Sequence, residues 1–139
     1  MPAELTAEEW AFLDSAFTAA RTGDADRLTD WVRAGLPVDL TTATGDSLLL
    51  LAAYHDHPPT VAALIALGAD VDRVNDRGQT ALGAAVFRRS QTSVRALLDA
   101  GADPAAGARS AGSIAEFFGL DDMRSLLAAA PGKVSPDPD

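Results

Sequence analysis

The sequence predicts an all-α repeat solenoid of about four helix–turn–helix units, with the outer two acting as caps. Two observations carry this: a fixed sequence period that runs through several residue types, and helix-capping signals in step with it. Gly35, Gly68 and Gly101 are 33 apart, and Gly68-Ala69-Asp70 returns as Gly101-Ala102-Asp103. Gly45 and Gly78 keep the same spacing, as do Ser47 and Thr80, Leu49 and Leu82, Val61 and Val94, and Leu64 and Leu97. Ala19-Ala20 recurs as Ala52-Ala53, with Ala85 as the third copy of the first position.

Helix grammar places the elements in order. Thr6-Ala7-Glu8-Glu9 is a capping box, so a first helix starts there and runs to about Arg21. Trp10, Leu13, Phe17 and Ala20 keep a 3–4 spacing and are expected to form its buried face. Gly23 ends that helix, and Asp24 caps a second one that carries Leu28, Trp31 and Val32 inward. Pro58 and Pro59 suit the first turn of a helix, where a missing N–H costs least. Ser90 caps the helix of Val94, Leu97 and Leu98. Each second helix should end at its repeat glycine in a left-handed residue. In the last unit Ile114, Ala115, Phe118, Leu126 and Leu127 keep helical spacing, and the segment aligns after a deletion of about one residue. The expected units are 6–40, 41–73, 74–106 and 107–130 of one domain, followed by a disordered, proline-containing tail at 131–139.

Two stretches are specific enough to suggest a family. Gly45-Asp46-Ser47-Leu48-Leu49-Leu50-Leu51-Ala52-Ala53 and its copy Gly78 to Val86 resemble the turn-and-helix opening of ankyrin repeats. Val61 to Asp70 and Val94 to Asp103 resemble that family's second helix and closing Gly-Ala-Asp. The resemblance spans about residues 7–130. It implies a turn and two antiparallel helices per unit. Both copies lack the Pro and His that follow the Ser/Thr in the family, so the usual hydroxyl-to-imidazole link is not expected, and Leu50, in place of that His, should be partly exposed.

Composition narrows the function. Twenty acidic against eleven basic residues give a net charge of −9, which disfavours nucleic acid and anionic membranes as partners. No apolar run approaches the roughly 18 residues of a spanning helix, and the acidic opening segment does not read as a secretory signal. A cytoplasmic location is expected. With no cysteine there is no disulfide, thiolate metal site or cysteine nucleophile. His55-Asp56-His57 is the sole histidine cluster, and its alternation turns the rings apart; no metal or cofactor is expected. His57 should bond loop backbone instead. Asp70 and Asp103 share a repeat position and are expected to hold turns rather than act as acid and base. No catalytic motif stands out, so an enzyme using an Asp- and His-lined groove is the lesser alternative. Polar residues Glu8, Glu9, Asp14, Asp121 and Asp122 argue against end-to-end self-assembly, and a monomer is expected.

The repeat itself points to the contact surface. In such stacks the turn tips and the inner face of each first helix form a concave binding surface. The two positions after the alanine pair project there: Arg21 and Thr22, Tyr54 and His55, Phe87 and Arg88, and, in the shifted last unit, Phe117 and Phe118. Of these, Arg21, Tyr54, His55, Phe87, Arg88 and Phe117 are the candidate contacts. Thr44, Asp46, Arg73, Asp76, Arg77 and Gln79 are the candidate contacts at the tips. The expected function is a non-enzymatic module that binds a folded protein. Resemblance to small bacterial ankyrin proteins, some of which accompany catalases, implies support of a partner enzyme as one role. An acidic immunity- or antitoxin-like protein masking a basic partner is the neighbouring reading.

Overall fold

The computed structural model describes residues 5–129. They form eight helices: α1 (Ala7–Thr22), α2 (Ala25–Arg33), α3 (Leu48–Tyr54), α4 (Pro58–Ala66), α5 (Ala81–Phe87), α6 (Gln91–Asp99), α7 (Ala111–Phe117) and α8 (Asp121–Ala128). Consecutive helices pair as α1/α2, α3/α4, α5/α6 and α7/α8. The first helices stack on one another in the order α1, α3, α5, α7, and the second helices stack as α2, α4, α6, α8. The result is a two-layer solenoid of four helix pairs. The expected tail at 131–139 lies outside the described residues.

The helices begin where short polar side chains satisfy the first free N–H groups. Thr6 and Glu9 form the reciprocal capping box of α1. Ser47, Thr80 and Ser110 each accept the N–H three residues on, at 3.0, 3.0 and 3.2 Å. The hydroxyls that the family would share with a histidine therefore close their own helices. Asp24 and Ser90 cap α2 and α6 in the same way, while Pro58 and Pro59 occupy the start of α4. The second helices of the first three units close alike. The residue after each repeat glycine bonds back to the helix, Leu36 to Trp31, Ala69 to Leu64 and Ala102 to Leu97, at 2.9–3.1 Å.

The core runs between the layers. Leu28, Val61, Leu64, Val94, Leu97 and Met123 come from the second helices, and Leu48, Leu49, Leu82, Ala85 and Ala115 from the first. Alanines at stacked positions let the first helices approach closely, which is why α3 and α5 are buried along nearly their whole length.

Three expectations need correction. Trp10 is 60% exposed, because α1 is longer than the other first helices and its early turns extend beyond the cover of the described neighbours. With Leu5 and Phe12 also exposed, the outer face of the first unit is partly apolar despite its acidic residues. Finally, α3 and α5 start one full period apart, at Leu48 and Ala81, whereas α7 starts early, at Ala111. The last unit has thus lost three residues, not one, all from the turn between Asp103 and Ser110.

Aspartates tie successive turns together. The Asp39 carboxylate accepts the Asp70 N–H at 2.8 Å, and one repeat later Asp72 accepts the Asp103 N–H at 2.7 Å. Asp70 and Asp103 in turn accept the N–H two residues on, which holds each turn closed. Their role is structural, as their shared repeat position suggested.

Candidate functional site

A groove of about 790 Å³ runs along the first-helix layer below the turn tips. Its lining follows from the helix caps. Residues three, four and seven positions after a cap share one helical face. Counted from Ser47, Thr80 and Ser110, these are Leu50, Gly83 and Ser113, then Leu51, Ala84 and Ile114, then Tyr54, Phe87 and Phe117, and all nine line the groove. The residues just before the three caps, Asp46, Gln79 and Arg109, line its tip side. Arg21, from the last turn of α1, closes the first-unit end.

Aromatic rings form one wall. Tyr54 and Phe87 stack nearly parallel, with centroids 6.4 Å apart and planes 5° off, and each is 46% exposed. Phe87 meets Phe118 edge-on at 5.7 Å, and Phe118 meets Phe117 edge-on at 4.8 Å. The positional equivalent of Phe87 is therefore Phe117, but the ring that touches Phe87 is Phe118. Phe117 stands outermost at 81% exposure.

Hydrogen bonds fix the tip side. The buried Asn75 donates its amide to Asp46 Oδ1 at 2.7 Å and to Gln79 Oε1 at 2.8 Å. Its own oxygen accepts the N–H groups of Arg77 and Gln79 at 3.0 and 2.9 Å. One side chain thus joins two tips. The Arg109 N–H bonds the Gly78 carbonyl at 2.9 Å, so the shortened last turn brings that arginine beside the third unit.

The groove gathers Arg21, Asp46, Tyr54, His55, Arg77, Gln79, Phe87 and Phe117 from the candidates read in the sequence. Thr44, Arg73, Asp76 and Arg88 are not part of its lining. Thr44 is engaged within the tips: its hydroxyl bonds Asp46 and its carbonyl accepts the Asp76 N–H at 3.0 Å. Arg73 is exposed on a turn, and Arg88 caps α5 beside the groove. Leu50 is only 6% exposed, since it packs beneath the groove as floor rather than standing in it. Phe118, read in the sequence as following Phe117 on this face, also lines the groove, whereas Arg109, Ile114 and the small residues of the floor were missed. Counting from the caps rather than from the glycines would have found them.

The two histidines do not converge. His57 Nε2 lies 2.7 Å from the Arg21 carbonyl, while His55 lies edge-on to Tyr54 at 5.3 Å. Partial burial, then the charges of Arg21, His57 and Arg88, lower the pKa of His55 below its usual value. Among the described residues no group of three or more His, Asp or Glu side chains is placed to hold a metal ion. No helix among them is long and apolar enough to cross a membrane.

Residues 16–107 match the family model for ankyrin repeats in three copies. The chain belongs to the ankyrin-repeat family. A Pseudomonas aeruginosa protein named for ankyrin repeats is 45% identical over 58 residues, 42% of this chain and 34% of that protein. A Treponema pallidum protein described as ankyrin repeat-containing is 35% identical over 94 residues, 67% of this chain and 32% of that protein. The matched regions span about a third of the length of these curated relatives. Ankyrin repeats generally mediate protein–protein interaction. In this ankyrin stack the family match covers all of α3 to α6, the two central units that carry Tyr54 and Phe87.

Proposed function

We propose that this chain is a non-catalytic module that binds a protein partner in the groove between its turn tips and first helices. The observation that carries the reading is the stack of Tyr54 on Phe87, two large rings left half-exposed in a protein with eight aromatic residues. Exposed aromatics grouped in a groove favour contact with another chain, because covering them removes apolar surface from water at little ordering cost. The scaffold beneath is stiff: α3 and α5 are buried, and the tips are joined by Asn75 and by backbone bonds. A stiff groove loses little conformational entropy on binding.

Site-specific photo-crosslinking tests this. A photoreactive phenylalanine analogue at Phe87 should capture a discrete partner in the cells that make the protein. The same analogue at Arg95, on the second-helix layer, should not. Equal capture from both positions would remove the groove from the reading.

A further inference from the structure

The charge of the groove is opposite to that of the chain. The protein carries −9 overall, yet Arg21, Arg77 and Arg109 line the groove against a single acid, Asp46. Both oxygens of Asp46 are already engaged, Oδ1 by Asn75 and Oδ2 by Thr44. The ion pairs among the described residues lie elsewhere, joining Arg27 to Asp24, Arg89 to Asp122 and Arg124 to Asp121. The three groove arginines have no carboxylate partner among the described residues. The depressed pKa of His55, to which Arg21 and Arg88 contribute after burial, reports the same positive field from inside the groove.

We infer that the groove takes an acidic segment of its protein partner, with carboxylates set against Arg21, Arg77 and Arg109 and an apolar side chain laid on Tyr54, Phe87 and Phe118. This rests on the groove being the binding surface and adds the chemistry of what it binds. Guanidinium suits the task, because its planar fork pairs with carboxylates through two parallel hydrogen bonds. The net negative charge does not oppose it strongly. Screening limits exposed charges to about 8 Å at physiological ionic strength, so the arginines beside the ligand outweigh acids on the far faces. The same argument disfavours a basic partner, for which the groove would be repulsive.

The test is selection of a random phage-displayed peptide library on the full chain, near physiological ionic strength. Enriched peptides should carry Asp or Glu beside an aromatic residue or leucine. Synthesised and titrated, they should lose at least about tenfold in affinity for an Arg21→Gln, Arg77→Gln, Arg109→Gln variant, and similarly when their acids become amides. Arg33→Gln and Arg95→Gln, on the second helices, should leave affinity unchanged, and each variant should melt like the parent. Basic or uncharged peptides that depend on Tyr54 and Phe87 but not on the arginines would overturn the charge assignment and leave the groove as the binding surface. Peptides insensitive to every groove substitution, or no enrichment over an unrelated control protein, would overturn both. A dimer that dissociates on Tyr54→Ala would make a second copy the occupant and likewise overturn the proposal.

Discussion

The imidazole of His57 donates from Nε2 to the backbone carbonyl of Arg21, 2.7 Å away, and so ties the loop of the second unit to the end of α1. The residue whose side chain closes the groove is held in place by a histidine outside it. Gly23 lies against the same ring, with a left-handed φ of 82°. A Cβ there would come within 2.6 Å of His57 Nδ1.

His57→Ala should therefore lower stability by about 1 kcal/mol, the usual net worth of one such bond. Gly23→Ala should cost more, about 1–3 kcal/mol, because it adds backbone strain to the clash. Thermal melts of the two variants check the order. If His57→Ala melts like the parent, the bond contributes nothing measurable.

Leu49 and Leu82 occupy the same repeat position and are both fully buried between layers. Truncating either to alanine removes core volume where neighbouring helices cannot collapse, and should cost about 2–5 kcal/mol. Denaturant titration measures it.

Asn75 is the buried joint of the tips, with four hydrogen bonds to Asp46, Arg77 and Gln79. Asn75→Ala leaves partly buried partners without a mate and should cost about 1–3 kcal/mol. It should also weaken partner binding, since Asp46, Arg77 and Gln79 line the groove. Hydrogen exchange should show both tips opening together. Loosening of only one would mean that Asn75 does not couple them.

Tyr54→Ala and Phe87→Ala should weaken partner binding at least about tenfold, as aromatic anchors do at interface centres. With nearly half of each ring exposed, melting should change little. Asp26→Ala and Arg95→Ala, on the second helices, should alter neither property. A fall in melting temperature large enough to explain the lost binding would make the ring stack a packing device.

The pH response of stability should contain a share from His55. Burial, Arg21, His57 and Arg88 lower its folded pKa, while the unfolded chain takes the proton near the ordinary value of about 6.5. Below that value the unfolded state binds more protons, so His55 destabilises the fold as pH falls from the unfolded towards the folded pKa. Above it the contribution is fully retained. His55→Gln should lose less stability than the parent on acidification through this window. Parallel pH profiles for the two would contradict the shift.

Most of the architecture was present in local sequence. The repeat spacing locates the units, and the Thr6 box and the hydroxyls of Ser47, Thr80, Ser90 and Ser110 act within a single helical turn. Such signals depend on little beyond the chain's own helix geometry. The repeated Gly-Ala-Asp likewise located the turns. Tertiary structure decided the rest. Trp10 keeps helical spacing with buried residues, yet stands 60% exposed among the described residues, while Leu50 is buried in the floor of the groove. The shortened turn before Ser110 brings Arg109 beside Gly78, and packing between α5 and α7 sets Phe118, not Phe117, against Phe87. Periodicity records which residues are equivalent. Which of them meet across neighbouring units depends on turn length and helix rotation, and those are set by packing.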